Sequence, residues 1–351
     1  MSARLKSQFV GHSSLSLCHR KSSIGINTEE DIQQYCGTWL GGRASEICTF
    51  VNTNNRKGEP IQYPPPSNKS PSPDEQALAW IIQDEEVYRA SNGEYSEERL
   101  LQRFALASLY FHNGVMDDES TVSCGQMRKN WTIQEGVHEC YWLGDWIECS
   151  KDRIVKAIRL DGYAAVKPIS TLVDDALLYM RCYVGSVPEN LALLTDLTEI
   201  TMTGQDFQDS TIPWSLYSLS SLETLNLGAS SLSGTISVGL VQLTKLRVLD
   251  LRRNKINGPI PSFLGDMTTL EALRLHHNQI SRTIPPSIFT LPRLQTLHLD
   301  ENQLTGVIPS TIGLTNLVDL QLQGNSLTGT FPAAMSRLPL LVRFFAFNNQ
   351  F

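Results

Sequence analysis

Nine polar side chains whose types suit ligand binding lie in three consecutive segments of the sequence. Each segment contains an adjacent pair, basic in the first, imidazole-bearing in the second and acidic in the third, with one more polar residue two positions before the pair. The nine residues are Asp250, Arg252, Arg253, Arg274, His276, His277, His298, Asp300 and Glu301. Because arginine binds carboxylates and phosphates through paired hydrogen bonds, these segments predict a surface for a partner with an acidic or sulfated group.

Two other interpretations of the same residues stay open at the level of sequence. In the first, the arginines pair with the neighbouring acidic residues, and the surface is an ordinary solvated polar face. In the second, His276, His277 and His298 form a metal site, because neighbouring strands bring them close together. Adjacent histidines at a strand end usually point apart, which disfavours that site, and we predict no metal ion and no cofactor.

The elements that position these residues are repeats. Seven units follow one another at spacings of 23 to 25 residues, and their first positions are Leu194, Leu219, Leu243, Met267, Leu291, Leu314 and Leu338. In each unit, alternating apolar residues predict a short strand, as Leu297 and Leu299 do around His298. An additional strand-like segment begins at Val155. The polar residue between the strand apolars and the two residues after them are expected on one exposed face.

Asparagine and glycine mark two turns in each unit. An asparagine recurs three residues after the last strand leucine, at Asn254, Asn278, Asn302, Asn325 and Asn349. Its amide can satisfy backbone groups where the chain leaves the sheet, and Gln205 and Ser230 take this place in earlier units. A glycine and a proline follow in most units; Arg282 replaces one glycine and Ser237 one proline. We expect those two turns to be less regular.

The second half of most units approximates the pattern G-x-I-P. With this pattern the units resemble plant-type leucine-rich repeats, as in plant receptor kinases, receptor-like proteins and polygalacturonase inhibitors. The resemblance covers residues 194–351. It implies an α/β solenoid, a right-handed superhelix with a concave parallel sheet. The strand residues named above then lie on the concave face, and the repeat leucines, asparagines and glycines are scaffold.

Such repeats are commonly preceded by a helical cap that ends in a cluster of Cys, Trp, Gly and Cys. Cys140, Trp142, Gly144 and Cys149 match that order, and the resemblance implies a disulfide between the two cysteines. The alternative is a zinc site that includes His138 with both cysteines, although a fourth ligand is missing. Two predicted helices, at 72–87 and from Ser96 to about Asn113, resemble the cap of leucine-rich repeat proteins from diatoms.

We therefore predict three regions: a basic, Pro-rich arm over 1–71, a helical cap over 72–152, and a repeat array over 153–351 that is truncated in its last unit. The truncation suggests a fragment of a longer protein. N-glycosylation sequons occur at Asn68 and Asn130. Residues 161–184 form either a degenerate unit or an insertion. The sequence does not determine the pairing of the other cysteines, which are Cys18, Cys36, Cys48, Cys124 and Cys182.

The functional prediction is a non-catalytic recognition module that binds a protein, peptide or glycan on its concave face. The alternatives are an inhibitor of a secreted hydrolase and an intracellular interaction scaffold. The net charge of −7 disfavours nucleic acid as a partner, and the common catalytic motifs are absent. The sequence contains no run of 18 apolar residues, so no transmembrane helix is predicted. Membrane attachment would therefore need segments outside this sequence. The cysteine pair favours an extracellular or cell-surface location, although no signal peptide is evident; a cytoplasmic location is the alternative.

Overall fold

The computed structural model describes residues 77, 97–112, 140, 147–160 and 185–351. The chain divides into two units between Phe111 and His112. The first unit contains helix α1 (Glu97–His112), which confirms the second of the two predicted helices. Residues 100–109 of this helix are all buried, and they include the charged Arg103. None of the described helices has the length and apolar character needed to cross a bilayer.

The described residues of the repeat array in the second unit form short strands joined by 3₁₀ turns. Its strands within the described residues are β1 (Ile147–Cys149), β2 (Val155–Arg159), β3 (Glu199–Thr201), β4 (Thr224–Asn226), β5 (Val248–Asp250), β6 (Asn257–Pro259), β7 (Ala272–Arg274), β8 (Gln279–Thr283), β9 (Thr296–His298), β10 (Gln303–Val307), β11 (Asp319–Gln321), β12 (Ser326–Thr328) and β13 (Arg343–Phe345). The 3₁₀ helices are Glu189–Leu193, Trp214–Ser218, Val238–Gln242, Ser262–Asp266, Pro286–Thr290 and Ala333–Arg337.

Two sheets run along the repeat array. The larger sheet has the order β1-β2-β3-β4-β5-β7-β9-β11-β13, in which β1 pairs antiparallel with β2 and all later pairs are parallel. The smaller sheet has the order β12-β10-β8-β6 and is also parallel. One strand per repeat in a continuous parallel sheet confirms the predicted solenoid and the additional strand that begins at Val155.

The leucine positions of the repeats form the core. Leu249, Leu273 and Leu297 lie directly opposite one another in adjacent strands and are completely buried. The first leucine of most units is buried too, because the 3₁₀ turn folds back towards the sheet. Burying a leucine contributes about 1.5–3 kcal/mol, so the regular spacing of leucine stabilises the stack and holds successive strands in register.

The repeated asparagines form the predicted hydrogen-bond ladder. Asn278 donates through Nδ2 to the carbonyl oxygens of Leu251 and Leu275, at 2.9 and 3.0 Å, and its Oδ1 accepts from the backbone N–H of Ile256 at 3.0 Å. Each such carbonyl also accepts from a second asparagine; Leu251, for example, accepts from Asn254 at 2.9 Å. The ladder therefore joins neighbouring repeats where the chain leaves the larger sheet.

Gln205 and Ser230 take the asparagine place in the earlier units, as predicted. The Gln205 amide donates to the carbonyl of Leu160 at 2.8 Å, and the Ser230 hydroxyl donates to that of Met202 at 2.9 Å. The hydroxyl also accepts from the backbone N–H of Gln205 at 3.3 Å. Ser230 therefore makes the same two kinds of inter-repeat bond as Asn278, although its single O–H donates where the asparagine amide has two N–H groups.

The expected irregularity at Arg282 and Ser237 was wrong. Arg282 adopts a φ of 70°, close to the 79° and 80° of Gly258 and Gly306 in equivalent turns, and it lies within an unbroken β8. Ser237 precedes a five-residue 3₁₀ helix like those that follow proline, and its hydroxyl accepts from the backbone N–H of Gly239. The stacked neighbours impose the turn, and serine supplies a side-chain cap in place of the fixed φ of proline.

The predicted cysteine pair is present. Cys140 and Cys149 form a disulfide with Cα atoms 6.0 Å apart, and both sulfurs are therefore unable to act as zinc thiolates. Cys149 is the last residue of β1, the strand that pairs with the first edge of the parallel array. Several predictions fall outside the described residues: the arm over 1–71, the helix at 72–87, Trp142, Gly144, His138, the stretch 161–184, both sequons and the five other cysteines.

Candidate functional site

Two columns of side chains line the concave face, and the strand register defines both. The middle column contains the last residue of each strand, and it runs Arg159, Thr201, Asn226, Asp250, Arg274, His298, Gln321, Phe345. The loop-side column lies two residues further along each unit, and it runs Thr203, Gly228, Arg252, His276, Asp300, Gln323, Phe347. The predicted alignment of the middle column is confirmed.

The loop-side column is held by backbone hydrogen bonds between repeats. The N–H of Arg253 donates to the carbonyl of His276, and the N–H of His277 donates to that of Asp300, at 2.9 and 3.0 Å. The residue after each column member has a left-handed backbone, with φ of 53° at Arg253 and His277 and 51° at Glu301. Glycine or asparagine takes this place in other units, at Gly324 and Asn348 for example. The second members of the predicted pairs, Arg253, His277 and Glu301, therefore do not belong to the loop-side column, because the same backbone turn separates each of them from it.

A cationic end of the face is built on one buried carboxylate. Asp250 is only 1% exposed, which corrects its predicted place on the open surface. Its Oδ2 lies 3.3 Å from Nη1 of Arg252 and 3.9 Å from Nη1 of Arg274. Burial raises the pKa of Asp250, and the two guanidinium groups oppose that rise. Two guanidinium groups therefore share one carboxylate, and positive charge is in excess. Arg253, which follows Arg252 in the chain, is exposed.

The histidines form the next zone. The His276 ring lies edge-on to His277 and His298, with centroid distances of 5.6 and 5.5 Å. Burial, together with the neighbouring histidines and arginines, lowers the pKa of His276 to about 3, so its imidazole is neutral at physiological pH. Its Nδ1 atom is buried without a hydrogen-bond partner. The described part of the chain contains no group of three or more His, Cys, Asp or Glu placed to hold a metal ion.

Acidic side chains follow the histidines. Asp300 is 5% exposed, again less than predicted, and burial raises the pKa of its carboxyl group. Its Oδ1 atom accepts no hydrogen bond, and neither does the buried Oε1 atom of Gln323 in the next repeat. Glu301, by contrast, is exposed. This zone therefore combines an exposed negative charge with buried acceptors that lack donors.

Sequence reasoning missed a second buried carboxylate, Asp319. It lies two residues before Gln321 of the middle column, and its Oδ2 is 2.9 Å from Nε2 of His298 and 2.9 Å from Nη2 of Arg343. The amide of Gln321 donates to the same carboxylate at 3.2 Å. The available signal was the alternation of side chains along a strand, which places Asp319 and Gln321 on the same face. The Nε2 atom of His298 therefore already has a hydrogen-bond partner within the protein.

The last described repeat adds an aromatic zone. Phe345 in the middle column is 43% exposed and Phe347 in the loop-side column is 60% exposed. Their ring centroids are 6.4 Å apart. Phenyl rings exposed on a polar face provide a surface for apolar or aromatic groups.

At the opposite end of the middle column, carboxylates outnumber the arginine with which they pair. Arg159 lies 2.7 Å from a carboxylate oxygen of Glu148 and 2.6 Å from one of Glu199. This cluster was not predicted, because Glu148 belongs to the antiparallel strand before the repeats. The ratio of charges is the reverse of that at Asp250: two carboxylates pair with one arginine here, whereas one carboxylate is shared by two arginines further along.

Comparison with known proteins agrees with this geometry. A family model described as leucine rich repeat matches residues 244–304 and 292–351. Among solved structures, the Arabidopsis receptor kinase HAESA, in complex with the peptide hormone IDA and the co-receptor SERK1, is 30% identical with a TM-score of 0.46. The plant peptide hormone receptor RGFR1 with RGF2 is 32% identical at 0.45. A plant ice-binding protein is 24% identical at 0.49.

These matches are partial. The alignments cover 48%, 47% and 64% of this chain, and 28%, 27% and 74% of HAESA, RGFR1 and the ice-binding protein. This chain thus spans little more than a quarter of the two receptor chains. No curated protein sequence matches it significantly. Residues 244–351 match the leucine rich repeat family model, and the repeat period, the leucine core and the asparagine ladder continue the same leucine-rich repeat pattern through the rest of the array.

Proposed function

We propose that the repeat array is a non-catalytic recognition module that binds a peptide, or an extended segment of a protein, on its concave face. The observation that carries the proposal is the cationic end, where Arg252 and Arg274 share the single carboxylate of Asp250 and Arg253 is exposed. Two guanidinium groups are already oriented by that carboxylate, so they lose little freedom when they bind an anion. The preferred partner therefore has an acidic group.

The remainder of the concave face supports binding along its length. Buried acceptors without donors at Asp300 and Gln323 cost free energy in the unbound protein, and a partner that supplies donors would recover part of it. The exposed rings of Phe345 and Phe347 supply apolar area beyond them. Cationic, hydrogen-bonding and aromatic zones in one line suit a chain-like ligand better than a compact metabolite.

The domain boundaries predicted above remain part of this proposal: an arm over 1–71, a cap over 72–152 and an array over 153–351. The disulfide between Cys140 and Cys149 supports a cap that closes the first edge of the sheet, since it anchors β1, which pairs antiparallel with β2. A disulfide also supports function in an oxidising compartment.

The experiment is peptide selection followed by mutation. A randomised twelve-residue display library is selected on the purified chain, and the affinity of a synthesised winner is measured by titration calorimetry. Replacing Arg252, Arg253 and Arg274 together with alanine should weaken binding by about tenfold or more, because charged hydrogen bonds are lost. The matched control is Arg293→Ala, which removes an exposed arginine in the turn before β9 and should leave affinity unchanged.

Two results would count against the proposal. If the triple variant keeps its melting midpoint and binds the selected peptide as tightly as the parent, the cationic end does not bind the ligand. If the library yields no binder to the correctly folded chain, the concave face is not a peptide-binding surface.

A further inference from the structure

We propose that the concave face acts as a ruler, selecting an extended peptide in which an acidic and an apolar side chain lie four or six positions apart. This inference rests on the proposed function and makes it more specific. It follows from the distance between the cationic end and the aromatic zone, together with the alternation of side chains in an extended chain.

The separation of the two zones is set by the strand register. Arg274 is followed in the middle column by His298, Gln321 and Phe345, so three strand spacings separate its backbone from that of Phe345. The guanidinium group of Arg274 lies 3.9 Å from Asp250, which is one strand further away. With strands about 4.8 Å apart, an anion bound there lies roughly 14–19 Å from the aromatic zone.

An extended peptide can span this distance only with certain spacings. Each residue advances the chain by about 3.3 Å, and successive side chains point to opposite sides. Side chains four and six positions apart are therefore separated by about 13 and 20 Å and face the same surface. Two positions give about 7 Å, which is too short, and five positions put one side chain on the wrong side.

The zone between the two ends restricts the ligand further. Glu301 is exposed next to the buried Asp300, and a residue two positions after the bound acid comes to lie near both. An acidic side chain there is repelled, whereas a lysine or arginine is attracted and can donate to a carboxylate. The charge order along the face thus distinguishes the ligand's acidic end from its middle.

The leucine core does not depend on the two phenylalanine side chains of the aromatic zone. Phe347 is 60% exposed and Phe345 is 43% exposed, so truncating either should leave the leucine core intact. The arginine carboxylate cluster, by contrast, includes the buried Asp250, and for this reason the test leaves that residue unchanged.

The test is a set of synthetic peptides with acetylated and amidated ends that contain one aspartate and one phenylalanine. The two are separated by two, three, four, five, six or eight positions, the other positions are serine and threonine, and both orders are made. Each peptide competes with the peptide selected above for the full chain. Separations of four or six should compete best, by about threefold or more over two, five and eight, because only these satisfy both zones.

Variants tie the spacing preference to residues. Phe345→Ala with Phe347→Ala should remove the dependence on spacing, and Arg274→Gln should remove the preference for aspartate over asparagine. Glu301→Gln should reduce the preference for lysine over glutamate at the second position after the aspartate. The control Arg293→Gln should change none of these, and melting midpoints verify that every variant is folded.

The outcomes separate this inference from the proposal on which it rests. Equal competition at every separation would overturn the ruler while leaving binding on the concave face intact. A spacing preference that persists after both phenylalanines are removed would also overturn it. Failure to select any binding peptide would instead contradict the proposed function itself, and the ruler with it.

Discussion

Removing a single side-chain amide from the asparagine ladder should markedly lower the free energy of unfolding of the repeat array. Asn278 is the appropriate residue, because it lies in the middle of the array and is 9% exposed. In Asn278→Ala, the backbone N–H of Ile256 loses its bond to Oδ1, and the carbonyls of Leu251, Leu275 and His276 each lose a bond to Nδ2. The strands and leucines stay unchanged, so the variant isolates the contribution of the ladder.

The magnitude follows from what each lost bond leaves behind. The carbonyls of Leu251 and Leu275 still accept from Asn254 and Asn302, at 2.9 and 3.0 Å, so they are not left unsatisfied. The N–H of Ile256 has no second acceptor among the described contacts, and an unsatisfied buried donor costs about 1–3 kcal/mol. Together with the weakened carbonyls, we expect a loss of about 2–4 kcal/mol.

The assay is urea unfolding of the full chain, followed by circular dichroism at constant pH. Asn257→Ala, an exposed asparagine in β6, is the control and should change the free energy of unfolding by less than about 0.5 kcal/mol. Asn278→Asp should be worse than alanine, since a carboxylate would face two carbonyl oxygens. If Asn278→Ala is as mild as the control, the ladder is not a source of stability and the reasoning is refuted.

Three other perturbations test the fold and its electrostatics. Leu297→Ala truncates a completely buried core side chain and should cost about 2–5 kcal/mol; an unchanged urea midpoint would contradict the core assignment. Replacing Cys140 and Cys149 with serine opens a loop with a sequence separation of 9 and should cost about 2–3 kcal/mol, so the parent but not the variant should melt lower in reductant. The pKa of His276 is about 3 in the folded protein against 6.5 in the unfolded chain, so as the pH falls from 6.5 towards 3 the unfolded chain takes up a proton first and stability is lost. His276→Gln should weaken this acid dependence of the unfolding midpoint, whereas an unchanged slope would show that His276 is not buried in its neutral form.

Much of the array could be predicted because its information is periodic. A constant repeat length and alternation within each strand fix which residues lie opposite one another, and the middle column from Thr201 to Phe345 has the expected register. The disulfide was predicted because the order Cys, Trp, Gly and Cys resembles the cap that commonly precedes such repeats. The regular turns at Ser237 and Arg282 were not predicted, because the stacked neighbouring repeats override the local preference of the residue. Arg282 adopts the left-handed backbone that glycine has in equivalent turns.

The candidate site was predicted in position but not in exposure. Period arithmetic placed Asp250 and Asp300 on the concave face, yet both are buried, because long neighbouring side chains such as Arg252 fold over the face. No repeat pattern encodes the rotamers of such side chains. The cluster around Asp319 was missed for a related reason: its partners His298 and Arg343 come from the repeats on either side.

Photo-crosslinking tests the central claim most directly, since it reports where a ligand lies on the folded chain. The selected peptide is made with benzoylphenylalanine at its apolar position, crosslinked to the full chain and mapped by mass spectrometry. Binding on the concave face predicts crosslinks to Phe345, Phe347 or their column neighbour Gln323. Crosslinks concentrated instead on the 3₁₀ turns that carry the exposed Trp214 and Val238 would contradict the account.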